Sequence, residues 1–174
     1  MASFGSTPRP CNDSPVHDRR PDHGRLSALD WGTEEIAVLT IARHYFTSFA
    51  VPHRHGWMGA LSHALRVFGD DRGPAAAFAV LSMVQAMRSA RHSPFNFNSA
   101  DCPNCADRLT GNERTFMSAL RALMRDDEPA ATAHAALLCE GNDPLGFVVA
   151  LQVVTRTCLP NSPAPTGSAT TPVH

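Results

Sequence analysis

The chain has 174 residues, enough for one domain of ordinary size, and 43% of them are apolar, enough to build a core. Its 15 basic and 16 acidic side chains leave a formal charge of −1, unlike the basic balance of a dedicated nucleic-acid binder. Every basic residue is Arg, which excludes mechanisms built on Lys, such as a Schiff base, a pyridoxal anchor or a P-loop.

Residues 1–29 carry Pro8, Pro10, Pro15 and Pro21 among charges and show no apolar period, so they read as a disordered tail. They contain no apolar stretch of a secretory signal, and Asp13, Asp18 and Asp22 argue against a transit peptide. No run reaches the roughly 20 apolar residues that span a bilayer, so a membrane is not expected as a partner. Five Cys without an export signal do not predict a disulfide framework, and the expected compartment is the cytoplasm. The Arg-only, Ala-rich and Pro-rich composition matches the bias of a GC-rich bacterial genome, which carries no function.

Helix signals dominate residues 30–158, which are expected to form a single domain. Thr33 is a candidate N-cap, with Glu34 and Glu35 in the first turn. Ile36, Leu39, Ala42 and Phe46 make one stripe, and Val38, Ile41, Tyr45 and Phe49 another, so this helix is apolar on two faces. Pro52 ends it. A second helix is predicted with Met58, Leu61, Leu65 and Phe68 as its single apolar face. A third, about 74 to 91, opens with Pro74 and should bury Phe78, Leu81, Val84 and Met87. The fourth opens on Thr110-Gly-Asn-Glu113, a capping-box pattern, and carries Arg114, Arg121 and Arg125 on an expected solvated face. A fifth is predicted from Pro129 to Glu140. A sixth, about 144 to 158, is apolar nearly all round, and a buried strand there lacks a partner strand. Residues 159–174, rich in Pro, Ser, Thr and Gly, read as a second disordered tail. A faint duplication relates Leu65-Arg66, Asp70-Asp71 and Pro74-Ala-Ala to Leu120-Arg121, Asp126-Asp127 and Pro129-Ala-Ala.

The unusual chemistry lies between helices three and four, in a long polar stretch that ends in Cys102-Pro-Asn-Cys105. A C-x-x-C turn lets two thiolates converge on one cation, and two further ligands complete a tetrahedral site. Cys139 and His92 are the expected partners, giving a structural zinc (Zn) site of Cys102, Cys105, Cys139 and His92. His134 is the alternative fourth ligand, although it lies about 140° round the helix from Cys139. The contiguous Cys102-Pro-Asn-Cys105 motif resembles the redox motif of thioredoxin-like proteins. That motif follows a strand and opens a helix in a βαβ setting, which is missing here. A reversible dithiol is therefore the alternative to zinc.

His44, His53, His55 and His63 have no carboxylate at helical spacing to complete a metal centre and read as loop and surface histidines. Trp31 and Trp57 flank the first helix and are expected to close the core. No nucleophile elbow, nucleotide glycine fingerprint, zinc-protease motif or EF-hand loop occurs, so nothing points to an enzyme. The expectation is a compact all-α bundle of five to six helices, with the Cys-containing loop between the third and fourth. It would act as a binding or regulatory module with a protein partner; the alternatives are a thiol-based redox sensor and an enzyme whose site is not visible in the sequence.

Overall fold

The computed structural model describes residues 25–160. The expectations for residues 1–24, Cys11 and residues 161–174 lie outside them. The described chain is all-α, with six α-helices and no strand. They are α1 (Thr33–Ala50), α2 (Gly56–Ala90), α3 (Pro103–Ala106), α4 (Gly111–Met124), α5 (Glu128–Leu138) and α6 (Leu145–Cys158). Helix α1 pairs with α2 and α4 with α5, while α6 lies against α2 and touches the other three.

The cap of α1 is Gly32 rather than Thr33, and Glu35 accepts the Gly32 N–H at 2.6 Å. Both apolar stripes of α1 are buried except at their ends, where Ile36 and Phe49 are half-buried, as a central helix requires. The predicted second and third helices are one helical run broken at Gly69 (φ 76°, ψ 175°), a conformation natural to glycine. The limbs 56–68 and 70–90 fold against each other there. A Cβ on Gly73 would lie 2.9 Å from Leu65 Cα, whereas eight residues of straight helix span about 12 Å. Pro74 therefore sits in the second turn of the new limb, where it has no N–H to give to the Asp70 carbonyl. The α4–α5 corner repeats this plan with Asp126 at φ 56°, Asp127 capping Ala130 N at 3.0 Å, and Pro129 in the first turn. The apparent duplication is thus shared corner chemistry.

Which face α2 buries differs from the periodicity in part: Phe68, Val84 and Met87 are buried as expected and Leu65 and Leu81 are half-buried, but the first turns are not as the spacing predicts. The seam with α1 is made of Gly56, Ala60 and Ala64, and a Cβ on Gly56 would lie 2.3 Å from the His44 carbonyl oxygen. Small residues bring the backbones together, so the large ones point outward. Met58 is 55% exposed, Leu61 37% and Trp57 52%, and on the second limb Phe78 is 70% exposed. Trp57 therefore does not close the core. Each of these side chains forgoes part of the roughly 1.5–3 kcal/mol that full burial of a large apolar group supplies.

Helix α6 runs antiparallel to the second limb of α2. Arg72 donates to the Thr157 and Cys158 carbonyls (3.2 and 3.0 Å) at one end, and Asn142 Nδ2 donates to the Ala90 carbonyl (2.8 Å) at the other. The packed region extends past both expected limits, since Leu26 and Leu159 are each 5% exposed and belong to the core.

Candidate functional site

The connection from α2 to α4 is organised by a buried ion pair. Arg43 on α1 is 1% exposed and Glu113 on α4 is fully buried. Arg43 Nε donates to Glu113 Oε1 at 2.7 Å and Nη2 to Oε2 at 3.1 Å, a bidentate pairing. Glu113 also accepts the N–H groups of Thr110 (2.8 Å) and Asn98 (3.0 Å). Its two oxygens thus carry four donors, the capacity of a carboxylate. The rest of the guanidinium donates to the Ala106 carbonyl at 2.7 Å and the Arg108 carbonyl at 2.6 Å. The predicted capping box is present, with Thr110 Oγ1 accepting Glu113 N at 3.1 Å. The apolar stripes of α1 do not reveal Arg43, although a signal exists: it is the only Arg or acidic residue between Ile36 and Ala50 of a helix apolar on two faces. A charge in that position has to be paired.

Above this pair lies the Cys102-Pro-Asn-Cys105 turn. Cys102 caps α3, Pro103 starts it, and Cys105 N and Ala106 N both donate to the Cys102 carbonyl (3.0 and 2.8 Å). One helical turn brings both thiols to the same side, and the sulfurs stand 3.1 Å apart, each half-buried. The outgoing side of the turn is clipped to the start of the described chain. Asp107 O accepts Leu26 N at 2.9 Å, and its carboxylate accepts Ser27 N (2.9 Å) and Ser27 Oγ (2.8 Å). The Ser27 backbone hydrogen bond is the main reason that the Asp107 carboxyl lies below the usual carboxylate range.

Cys139 and His92 lie at a different corner, where the ends of α2 and α5 meet. Glu140 accepts His92 N at 2.8 Å, Ser93 N at 3.1 Å and the Ser93 hydroxyl. It also pairs with the buried Arg91, 3.1 Å away. These contacts, led by the Ser93 hydroxyl, lower the Glu140 carboxyl to about 2. Arg91 donates in addition to the Leu138 carbonyl. Cys139 is fully buried and its thiol is pushed up, chiefly by desolvation. Cys158, also fully buried, is raised to about 12 by the same cause. His92 is exposed, and His134 is half-buried on α5. The four expected ligands thus fall at two places, Cys102 with Cys105 at the turn and His92 near Cys139. Among the described residues no three His, Cys, Asp or Glu side chains gather as a metal-ligand set.

Of the four histidines, His44 and His63 face each other, with ring centroids 6.5 Å apart. Arg66 Nη2 lies 2.6 Å from His63 Nδ1, and because guanidinium only donates, that nitrogen is the acceptor of a neutral ring. Desolvation first, then Arg66, lowers His63 to about 4. His53 and His55 are exposed in the turn before α2. Arg121, expected on a solvated face, instead stacks 3.7 Å over the half-buried Trp31, lies 3.6 Å from Glu35 and donates to the Asp30 carbonyl. An open polar cleft of about 470 Å³ lies between the α4–α5 corner and α6, lined by Leu123, Asp126, Glu128, Gln152, Thr155 and Arg156. Compared with protein-family models, curated proteins and solved structures, the chain matches none.

Proposed function

We propose that the chain is a small helical regulatory module, acting on a protein partner, whose switch is the Cys102/Cys105 dithiol. The observation that carries this reading is the 3.1 Å separation of two half-buried sulfurs on one helical turn. A peroxide is the class of oxidant that fits. With hydrogen peroxide, one thiolate bonds to an oxygen as the O–O bond breaks, giving a sulfenic acid, and the leaving hydroxide takes a proton to become water. The second thiol displaces a second water from that sulfur, so two thiols and one peroxide give one disulfide and two waters. The chain segment that responds is defined by its ties, because the residues after Cys105 are held by Arg43 on one side and Ser27 on the other. A thiol reductant reverses the step.

Thiol titration of the full chain before and after mild peroxide tests this. Two thiols should disappear together and return with dithiothreitol, and Cys102→Ser or Cys105→Ser should abolish the paired loss. Retention of both thiols would remove the proposal.

Structural zinc is the second reading, favoured by the convergence of two of its four expected ligands, Cys102 and Cys105, on one turn. It requires the 91–102 connection to carry the turn to Cys139, with His134 as the other candidate fourth ligand. Metal analysis of reduced, untagged protein decides it: about one zinc per chain supports the site, and zinc far below one per chain removes it.

A further inference from the structure

We infer that the tip of the α1–α2 hairpin is a docking surface for an anionic lipid surface, to which the chain binds peripherally. Trp57, Met58 and Leu61 are 52%, 55% and 37% exposed, and their spacing puts them on one side of the first limb of α2. Their exposure is built in. Gly56, Ala60 and Ala64 fill the seam with α1, so turning the limb to bury the large residues would drive them into the space that only small residues fit. The tip is also stiff, since Trp57 N donates to Ser48 Oγ at 2.7 Å and Gly56 sits against the His44 carbonyl.

Charge selects the partner. The turn immediately before Trp57 exposes His53, Arg54 and His55, and Arg66 is exposed further along on the adjoining polar side. No acidic residue occurs between Ile36 and Gly69. The carboxylate bearing on this region from another element is Asp101, which acts on His44, whose ring packs against Gly59. An exposed aromatic, a thioether and a leucine close in sequence to an exposed guanidinium suit a soft, flat, negatively charged interface. There Trp and Arg sit at headgroup level and the apolar groups enter a few ångströms. No described helix is long and apolar enough to cross a membrane, and this binding mode needs none.

The test is co-sedimentation of the full reduced chain with vesicles of phosphatidylcholine alone or with a third phosphatidylserine, read together with tryptophan emission. Binding to the anionic vesicles with a blue shift is expected, and little binding to the neutral ones. Arg54→Gln should weaken partition about five-fold. Met58→Ser/Leu61→Ser keeps Trp57 as reporter and should abolish binding with an unchanged circular dichroism spectrum. The proposal is overturned if anionic vesicles do not bind, if neutral vesicles bind equally, or if the double variant binds like the parent. It is also overturned if an acidic amphipathic peptide shifts the Trp57 emission while vesicles do not, because the tip then serves a protein.

Discussion

Glu113 accepts four hydrogen bonds out of contact with water, and Arg43 is its ion-pair partner. Two desolvated ions of this kind are tolerated only as a pair, so removing one partner strands the other. Arg43→Met should cost about 3–5 kcal/mol in a denaturant titration. Arg43→Met combined with Glu113→Leu should cost less than the sum of the two single changes, which a double-mutant cycle measures. Two other residues, beside the likewise lowered His44 and Asp107, contribute to the acid limb of stability. His63 is lowered from 6.5 to about 4 in the fold, so the unfolded chain binds the extra proton in that window. Stability is therefore full above pH 6.5 and falls as the pH drops towards 4. Glu140 is lowered from 4.5 to about 2, so its contribution is present above 4.5 and is lost as the pH falls towards 2. Thermal midpoints recorded from pH 7 to 2.5 should decline in two stages. His63→Gln should flatten the upper stage and Glu140→Gln the lower one.

At the scale of elements, the sequence reads most clearly where local chemistry decides. The capping box of α4, the Pro52 stop of α1 and the helical state of 145–158 follow from residues within a few positions of each other. What periodicity misplaces is the buried face of α2. Apolar spacing names Met58, Leu61 and Leu65, but α1 approaches along Gly56, Ala60 and Ala64, and close approach rewards small residues over large ones. A break between the second and third helices is legible from Pro74, but neither its place at Gly69 nor its sharp fold-back is. Gly56→Ala should lower stability by about 1–3 kcal/mol, because the new methyl meets backbone that cannot yield without parting the helices. Gly111→Ala, where a Cβ meets nothing within 4 Å, is the control and should not destabilise the fold. Urea unfolding of the two variants separates the effects.

For the whole molecule, half of the candidate site was legible. C-x-x-C spacing announces the convergence of Cys102 and Cys105, because one turn suffices to create it. Where His92 and Cys139 stand depends on how the ends of α2 and α5 meet through Arg91 and Glu140, a long-range matter to which local spacing is blind. Burial then divides the described cysteines into two classes. In a Cys11→Ser background, iodoacetamide should modify Cys102 and Cys105 quickly in the reduced native protein. Cys139 and Cys158 should react only at the rate of global opening, as peptide mapping over time would show.

The clip between Asp107 and Ser27 lays Leu26 and Ser27 beside the residue two positions after Cys105, with Arg25 bridged to Arg108. Arg25 is exposed there. A bulky group carried at position 25 therefore stands guard over the sulfurs, and it should slow a large oxidoreductase far more than a peroxide.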